Sequence, residues 1–309
     1  MKRIIILLTI VLSFSYVLLH AQECEILLIP YIQDKIDPLP EETRSYLETK
    51  LTQIVTQNGI GAGAGYGQFY LVSKFALLNK DIVSGSPTII SQRINVTLSI
   101  VDYFGEKVIA STNIELQATG TNENKAYING IRNLNPENAK IQEFIKSAKE
   151  KMLNYYDSNF GVIIKKAQNL AVTKQYEEAL FYLTSIPECS KGYDAAMSAC
   201  KIVYKEYIDY HCQRNLQQAR TLWAASPNAA GAAQAGVYLA AIEPDAKCYS
   251  EAVGLYNEIK TSVGEDWKFE FRYYDERSLE RERINAYREV GVAFGRGQQP
   301  STTVIGRLY

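Results

Sequence analysis

Three short segments constrain the second half of this 309-residue chain more than any other feature. Tyr176-Glu-Glu-Ala-Leu180, Leu216-Gln-Gln-Ala-Arg220 and Tyr249-Ser-Glu-Ala-Val253 share an apolar-x-x-Ala core, and their alanines, Ala179, Ala219 and Ala252, are separated by 40 and 33 residues. Twelve positions before each alanine stand Ala167, Tyr207 and Ala240. Four after stand Leu183, Trp223 and Tyr256, and seven after stand Ile186, Ser226 and Ile259. Small residues let paired helices approach, and larger ones fill the gap between successive pairs. A chain with this recurrence buries its apolar faces by stacking one helical unit on the next.

The first half has a different period. Glu25-Ile-Leu-Leu-Ile-Pro-Tyr-Ile-Gln33 has strand character and ends at the proline-rich Asp37-Pro-Leu-Pro40. Glu41 to Gln57 reads as a helix, with Pro40 at its start, Glu41 and Glu42 suited to its N-terminal dipole, and Leu47, Leu51, Ile54 and Val55 on one face. Phe69-Tyr-Leu-Val72 is a second strand. Ile94, Val96, Leu98 and Ile100 then alternate with more polar neighbours, Tyr103-Phe-Gly-Glu106 can turn, and Val108, Ala110, Ile114 and Leu116 return. Helical spacing resumes through Ala126, Tyr127 and Ile131, and again through Ile141, Phe144, Ile145, Ala148 and Met152. This order predicts an α+β domain, an antiparallel or mixed sheet with helices, followed by an all-α domain.

The helix Leu47-Glu-Thr-Lys-Leu-Thr-Gln-Ile54, the strand Phe69-Tyr-Leu-Val-Ser73 and the hairpin Leu98-Ser-Ile-Val-Asp102 to Val108-Ile-Ala-Ser111 make residues 24–156 resemble a known periplasmic α/β domain. It is shared by the curli-export lipoprotein, the penicillin-binding-protein activators and the N-terminal domain of TolB. The resemblance implies protein contacts in the envelope without catalysis. The chain departs from the lipoprotein members at Cys24, which follows Glu23 where lipidation needs a small residue.

The helical half resembles tetratricopeptide-type helix pairs, although its first interval runs about six residues beyond the usual repeat near 34. Tyr207 is also bulky where a small residue is expected, and Glu243 stands where the first two repeats place Leu170 and Tyr210. Stacking of neighbouring first helices, as the resemblance implies, brings Cys212 near the loop that holds Cys248 and predicts a Cys212–Cys248 disulfide. Cys189–Cys200 is the weaker second pair, and Cys24 is left over, either free or lipidated. Cys200 and Cys212 on one helix would lie about 18 Å apart along its axis, too far to bridge. The alternative is free cysteines packed as small apolar groups.

Export makes disulfides chemically permitted, and the N-terminus reads as an export signal. Lys2 and Arg3 precede an apolar run from Ile4 to Leu19, and Leu19-His20-Ala21 offers a cleavage site with the mature start near Gln22. An uncleaved anchor is the alternative, but about 16 apolar residues fall short of the usual span of about 20. Cleavage removes Lys2 and Arg3 and takes the formal charge from −1 to −3. The expected layout is a signal peptide at 1–21, an α+β envelope-type domain at 22–156, tetratricopeptide-like repeats with a C-terminal capping helix at 157–294, and a flexible tail at 295–309. The capping helix is expected from about Trp267 to Phe294, ended by Gly295-Arg-Gly-Gln-Gln-Pro300.

Near-neutral charge gives no broad footprint for nucleic acid, and no later segment reads as a membrane span. The chain has two histidines, and His20 falls in the signal, which leaves His211 alone and too few for a multi-histidine metal site. His211-Cys212 are consecutive and point about 100° apart on a helix, so adjacency makes no nucleophile–base pair. In Asn58-Gly-Ile-Gly-Ala-Gly-Ala-Gly-Tyr-Gly67 the glycines follow a helix and precede a strand, the reverse of a phosphate-binding loop. No cofactor is expected. Tyr204, Tyr207 and Tyr210 form an i, i+3, i+6 stripe and, with Trp223, are the candidate partner- or ligand-binding residues; a core stripe is the alternative. The expected function is an exported, non-catalytic adaptor or scaffold with envelope protein partners. The first alternative is a module for glycan or peptidoglycan fragments. The second is a carboxylate-dependent hydrolase, which needs two carboxyl groups beside aromatics in one pocket.

Overall fold

Five strands and eight helices make up the described part of this computed structural model, residues 26–32, 39, 41–62, 66–264 and 279–298. The expected signal at 1–21, Cys24 and the residues from 299 onward lie outside it. Two compact units are present. The first runs to Tyr155 and also takes Pro187–Cys189; the second holds Tyr156–Ile186 and the chain from Ser190.

The first unit is built on a mixed sheet of order β2-β1-β3-β4-β5, with β1 at Leu27–Tyr31, β2 at Gly61–Ala62, β3 at Phe69–Val83, β4 at Ile89–Asp102 and β5 at Lys107–Gly120. β1 is parallel to β2 and β3, and β3, β4 and β5 form an antiparallel meander. Alternation puts Ile94, Val96, Leu98 and Ile100 in the core, with Ile114 and Leu116 across from them. Val108 departs from the expected alternation and is exposed. The register shifts between Ile100 and Val101, so the pleat of β4 no longer carries through to the start of β5. The turn between these strands is held by Asp102, whose Oδ1 accepts from the Gly105 amide at 2.9 Å and from Gln68.

α1 (Glu41–Gln57) buries Leu47, Leu51, Ile54 and Val55, the stripe its sequence sets out. Gly59 ends it at φ 69, a left-handed conformation that glycine adopts without a Cβ penalty, and Ile60 N–H reaches back to Val55 O at 3.2 Å. The glycine-rich connection therefore follows a helix and leads into a strand; residues 63–65 lie outside the description. α2 (Glu123–Arg132) is capped by Asn122, whose side chain accepts from Lys125 N–H. Gly130 lets α2 sit close on the sheet, since a Cβ there would stand 2.9 Å from that of Ala118.

α3 (Ala139–Val172) is one 34-residue helix, with its first part in the first unit and the remainder in the second. The second unit continues with α4 (Tyr176–Thr184), α5 (Tyr193–Ala225), α6 (Ala229–Ala240), α7 (Tyr249–Val263) and α8 (Leu279–Gly297). Ala167, Ala179, Ala219 and Ala252 are fully buried, as close helix packing requires. The expected helix–turn–helix is missing from the middle repeat, however. α3 and α4 are separated by a turn at 173–175, where Lys174 takes φ 62, and Pro244 lies in the connection between α6 and α7. The corresponding stretch Gln213-Arg-Asn215 contains neither glycine nor proline, and α5 passes straight through it for 33 residues.

The last helix also differs from expectation. α8 does not stop at Phe294 but continues to Gly297, with Gly295 on its packed face, so the boundary at 294 falls inside a helix. Residues 265–278, and with them most of the expected start of this helix, lie outside the description.

Candidate binding surface on the second unit

On a helix, three residues advance by about 300°, so a tyrosine at every third position slips about 60° backward around the axis. The stripe on α5 accordingly fans out to meet different neighbours. Tyr204 meets Tyr287 of α8, ring centroids 4.8 Å apart. Tyr210 meets Tyr176 of α4 at 5.7 Å and lies under the Lys174 ammonium at 5.4 Å. Tyr207 stands between them, 5.9 Å from Tyr204 and 4.4 Å from the His211 ring. All three tyrosines are half-buried, forming a ridge that is partly core and partly surface. Burial raises the Tyr207 hydroxyl pKa, and the charges of Glu177 and Glu243 add to the effect.

Two clefts border this ridge. One, of about 610 Å³, is floored by Tyr204, Ile208 and Tyr287 and edged by Lys201, Asp209 and Lys247. Asp209 organises its wall, accepting from Lys205 Nζ at 2.7 Å and from the Lys247 amide at 2.8 Å, with Lys247 Nζ at 3.2 Å. Burial pushes the Asp209 carboxyl up, but the hydrogen bonds from Lys205 and Lys247 outweigh it and hold the pKa below the usual carboxylate value. Lys205 Nζ also donates to Asp245 O at 2.6 Å, which ties α5 to the α6–α7 connection. The other cleft, of about 500 Å³, is lined by Glu177 of α4, Tyr207 of α5, and Glu289, Val290, Ala293 and Phe294 of α8. Its Glu177 pairs with His211, Nε2 to Oε1 3.4 Å. Two carboxylates beside two aromatic rings suit hydroxyl-rich or cationic groups, by hydrogen bonding and by attraction to ring faces.

Trp223 belongs elsewhere. It is 7% exposed, packs with Leu216, Ala219, Ala232 and Leu239, and donates its indole N–H to Glu258 Oε1 at 3.2 Å. Its ring is core rather than a ligand platform, which corrects its place among the binding candidates.

Cys212, in the middle of α5, and Cys248 lie in the same core and form the expected disulfide, Cα–Cα 6.0 Å. The pair Cys189–Cys200 does not form. Cys200 is a free thiol on the buried stripe of α5, its pKa pushed up to about 12 by burial, while Cys189 is disulfide-bonded and falls with the first unit.

Sequence reasoning missed Asp209, Lys247 and the pair Glu177/Glu289. Lys205 and Asp209, four residues apart on one helix, were a readable signal. Lys247 adjoins Cys248, and Asp209 lies one turn before Cys212, so the disulfide pairing would have placed them together. Nothing local in the sequence brings Glu289 to Glu177.

No helix among the described residues is long and apolar enough to cross a membrane, and no metal-holding cluster of His, Cys, Asp and Glu occurs among them. No family model and no curated protein matches the chain. Among solved structures, a minor lipoprotein from Acinetobacter baumannii is similar to 40% of this chain over 94% of its own length, at 21% identity and a TM-score of 0.27. A neuraminyllactose-binding hemagglutinin homolog from Helicobacter pylori is similar to 43% of this chain over 89% of its own, at 15% identity and a TM-score of 0.26.

Proposed function

We propose that the chain is an exported, non-catalytic adaptor of the bacterial cell envelope, periplasmic or outer-membrane-associated, which holds a protein partner on the tyrosine ridge of α5. The first unit is read as a member of the curli-export, penicillin-binding-protein-activator and TolB N-terminal group, and the second as a tetratricopeptide-like array interrupted at α5. The observation that carries the proposal is the ridge itself. Tyr204 and Tyr207 each border an open cleft of several hundred cubic ångströms, and tyrosine is enriched at protein interfaces, with polar groups kept to the rim. A disulfide in the core fits an oxidising compartment.

In-cell crosslinking followed by affinity purification of a C-terminally tagged chain should recover one envelope protein reproducibly. Tyr207→Ala should reduce that recovery about tenfold or more if the ridge is the hot spot, while Trp223→Phe leaves it unchanged. Equal recovery with Tyr207→Ala would remove the ridge from the interface.

A second reading has one specific observation in its favour, the placement of Glu177 and Glu289 beside Tyr207 and Phe294 in one cleft. That set suits a glycan or peptidoglycan fragment, and calorimetric titration with muropeptides distinguishes it from the adaptor. Turnover of such a fragment, lost in Glu177→Gln or Glu289→Gln, would replace binding with hydrolysis.

A further inference from the structure

β3 is 15 residues long, but β1 covers it only at Tyr70–Val72. From Ser73 to Val83 its outer edge meets no other strand among the described residues. Leu77, Leu78, Ile82 and Val83 on this stretch are 41%, 50%, 63% and 57% exposed. An edge of this length carrying apolar side chains is a template for a further strand.

The faces of this edge follow from the β3–β4 register. Ser73, Phe75 and Leu77 stand across from Leu98, Val96 and Ile94, on the buried side of the sheet, while Lys74 and Ala76 point to the other side. The register then shifts between Leu77 and Asn79, leaving Leu78 out of the ladder. Beyond the shift, Lys80 and Ile82 stand across from Gln92 and Ile90 on the buried-side face, and Asn79, Asp81 and Val83 take the opposite one. Without the bulge, Asp81 would share a face with Phe75. With it, Lys74 and Asp81 lie on the same face of the same open edge.

We propose that this edge pairs with its counterpart in a second copy of the chain, antiparallel about a two-fold axis between Leu77 and Leu78. Lys74 of each copy then stands opposite Asp81 of the other. Phe75 meets Lys80, Ala76 meets Asn79, and Leu77 meets Leu78. The pairing uses the edge from Ser73, where β1 ends, to Ile82. A slip of one residue sets opposite faces against each other across the bulge. A slip of two residues places Lys74 opposite Asn79 or Val83, and both ion pairs are lost. Lys74 is exposed with no carboxylate partner among the described residues. Asp81 Oδ2 accepts from Asn79 Nδ2 at 2.9 Å, and its other oxygen is available to a lysine. A lone lysine on an edge discourages pairing; an aspartate placed to meet it turns the same charge into a register mark.

The test is sedimentation equilibrium on the purified chain. The wild type is expected to be a monomer–dimer system, and Lys74→Asp and Asp81→Lys each to weaken the dimer about tenfold or more, because each substitution sets like charges opposite at two places. Mixing the two variants in equal amounts should restore a dimer of wild-type strength, since each then supplies the charge the other needs, and that restoration also shows that both variants fold. A wild type that stays monomeric, or a dimer indifferent to both substitutions, overturns the proposal; so does a failure of the mixture to recover.

Discussion

Burial opposes the charge on Asp209, yet its bonds from Lys205 and Lys247 leave the carboxyl with a pKa below its ordinary value. A carboxyl depressed on folding adds stability above its unfolded pKa of about 4, and that stability is lost as pH falls through the lower folded-state value. Urea unfolding of the second unit should therefore show Asp209→Asn less stable than wild type at pH 7 by about 1–2 kcal/mol. The gap should close as pH falls below about 4. A constant gap across that window would mean that Asp209 acts by shape and not by charge. Half of this arrangement was readable, because Lys205 and Asp209 are one helical turn apart. The other half depends on Lys247, which comes from a connection whose path is set by Pro244 and the disulfide. Trp223 was misread because a large aromatic within a repeat motif looks the same in sequence whether it faces solvent or, as here, Leu216 and Leu239.

Helix packing sets a narrow tolerance at Gly291. There α8 crosses α4 so closely that a Cβ would stand 2.7 Å from Thr184 Oγ1 and 3.0 Å from Phe181 Cα. Gly291→Val should displace α8, open the cleft between Glu177 and Phe294, and destabilise the second unit by about 1–3 kcal/mol. Chemical denaturation together with Tyr fluorescence measures both effects; a variant as stable as wild type would show that α8 is held elsewhere. The elements themselves were largely legible where period and punctuation agreed. α1 shows its stripe and its glycine stop, and β4 alternates from Ile94 to Leu98. Legibility failed where the deciding information was long-range. Gln213-Arg-Asn215 is a permissive stretch in which a turn or a continuous helix is locally acceptable, and packing of Leu216, Ala219 and Trp223 against α6 and α7 fixes the helix. The bulge that exposes Val108 leaves no mark in the sequence.

The Cys212–Cys248 disulfide spans 36 residues, a loop that contains the C-terminal end of α5 and all of α6. On chain-entropy grounds it stabilises the folded chain by about 4 kcal/mol. The Cys212→Ala/Cys248→Ala double variant should unfold at correspondingly lower urea, and it should be cleaved by protease within 226–247 before any other described segment of the second unit; a double variant as stable as wild type would put the hold on α6 in its packing alone. The same crosslink has a mechanical consequence. If the chain is drawn taut between partners at its two ends, load entering α5 at Cys212 leaves at Cys248 through sulfur. Between them, about 120 Å of extensible backbone is withheld, so the oxidised chain reaches less far before it goes taut than the reduced one.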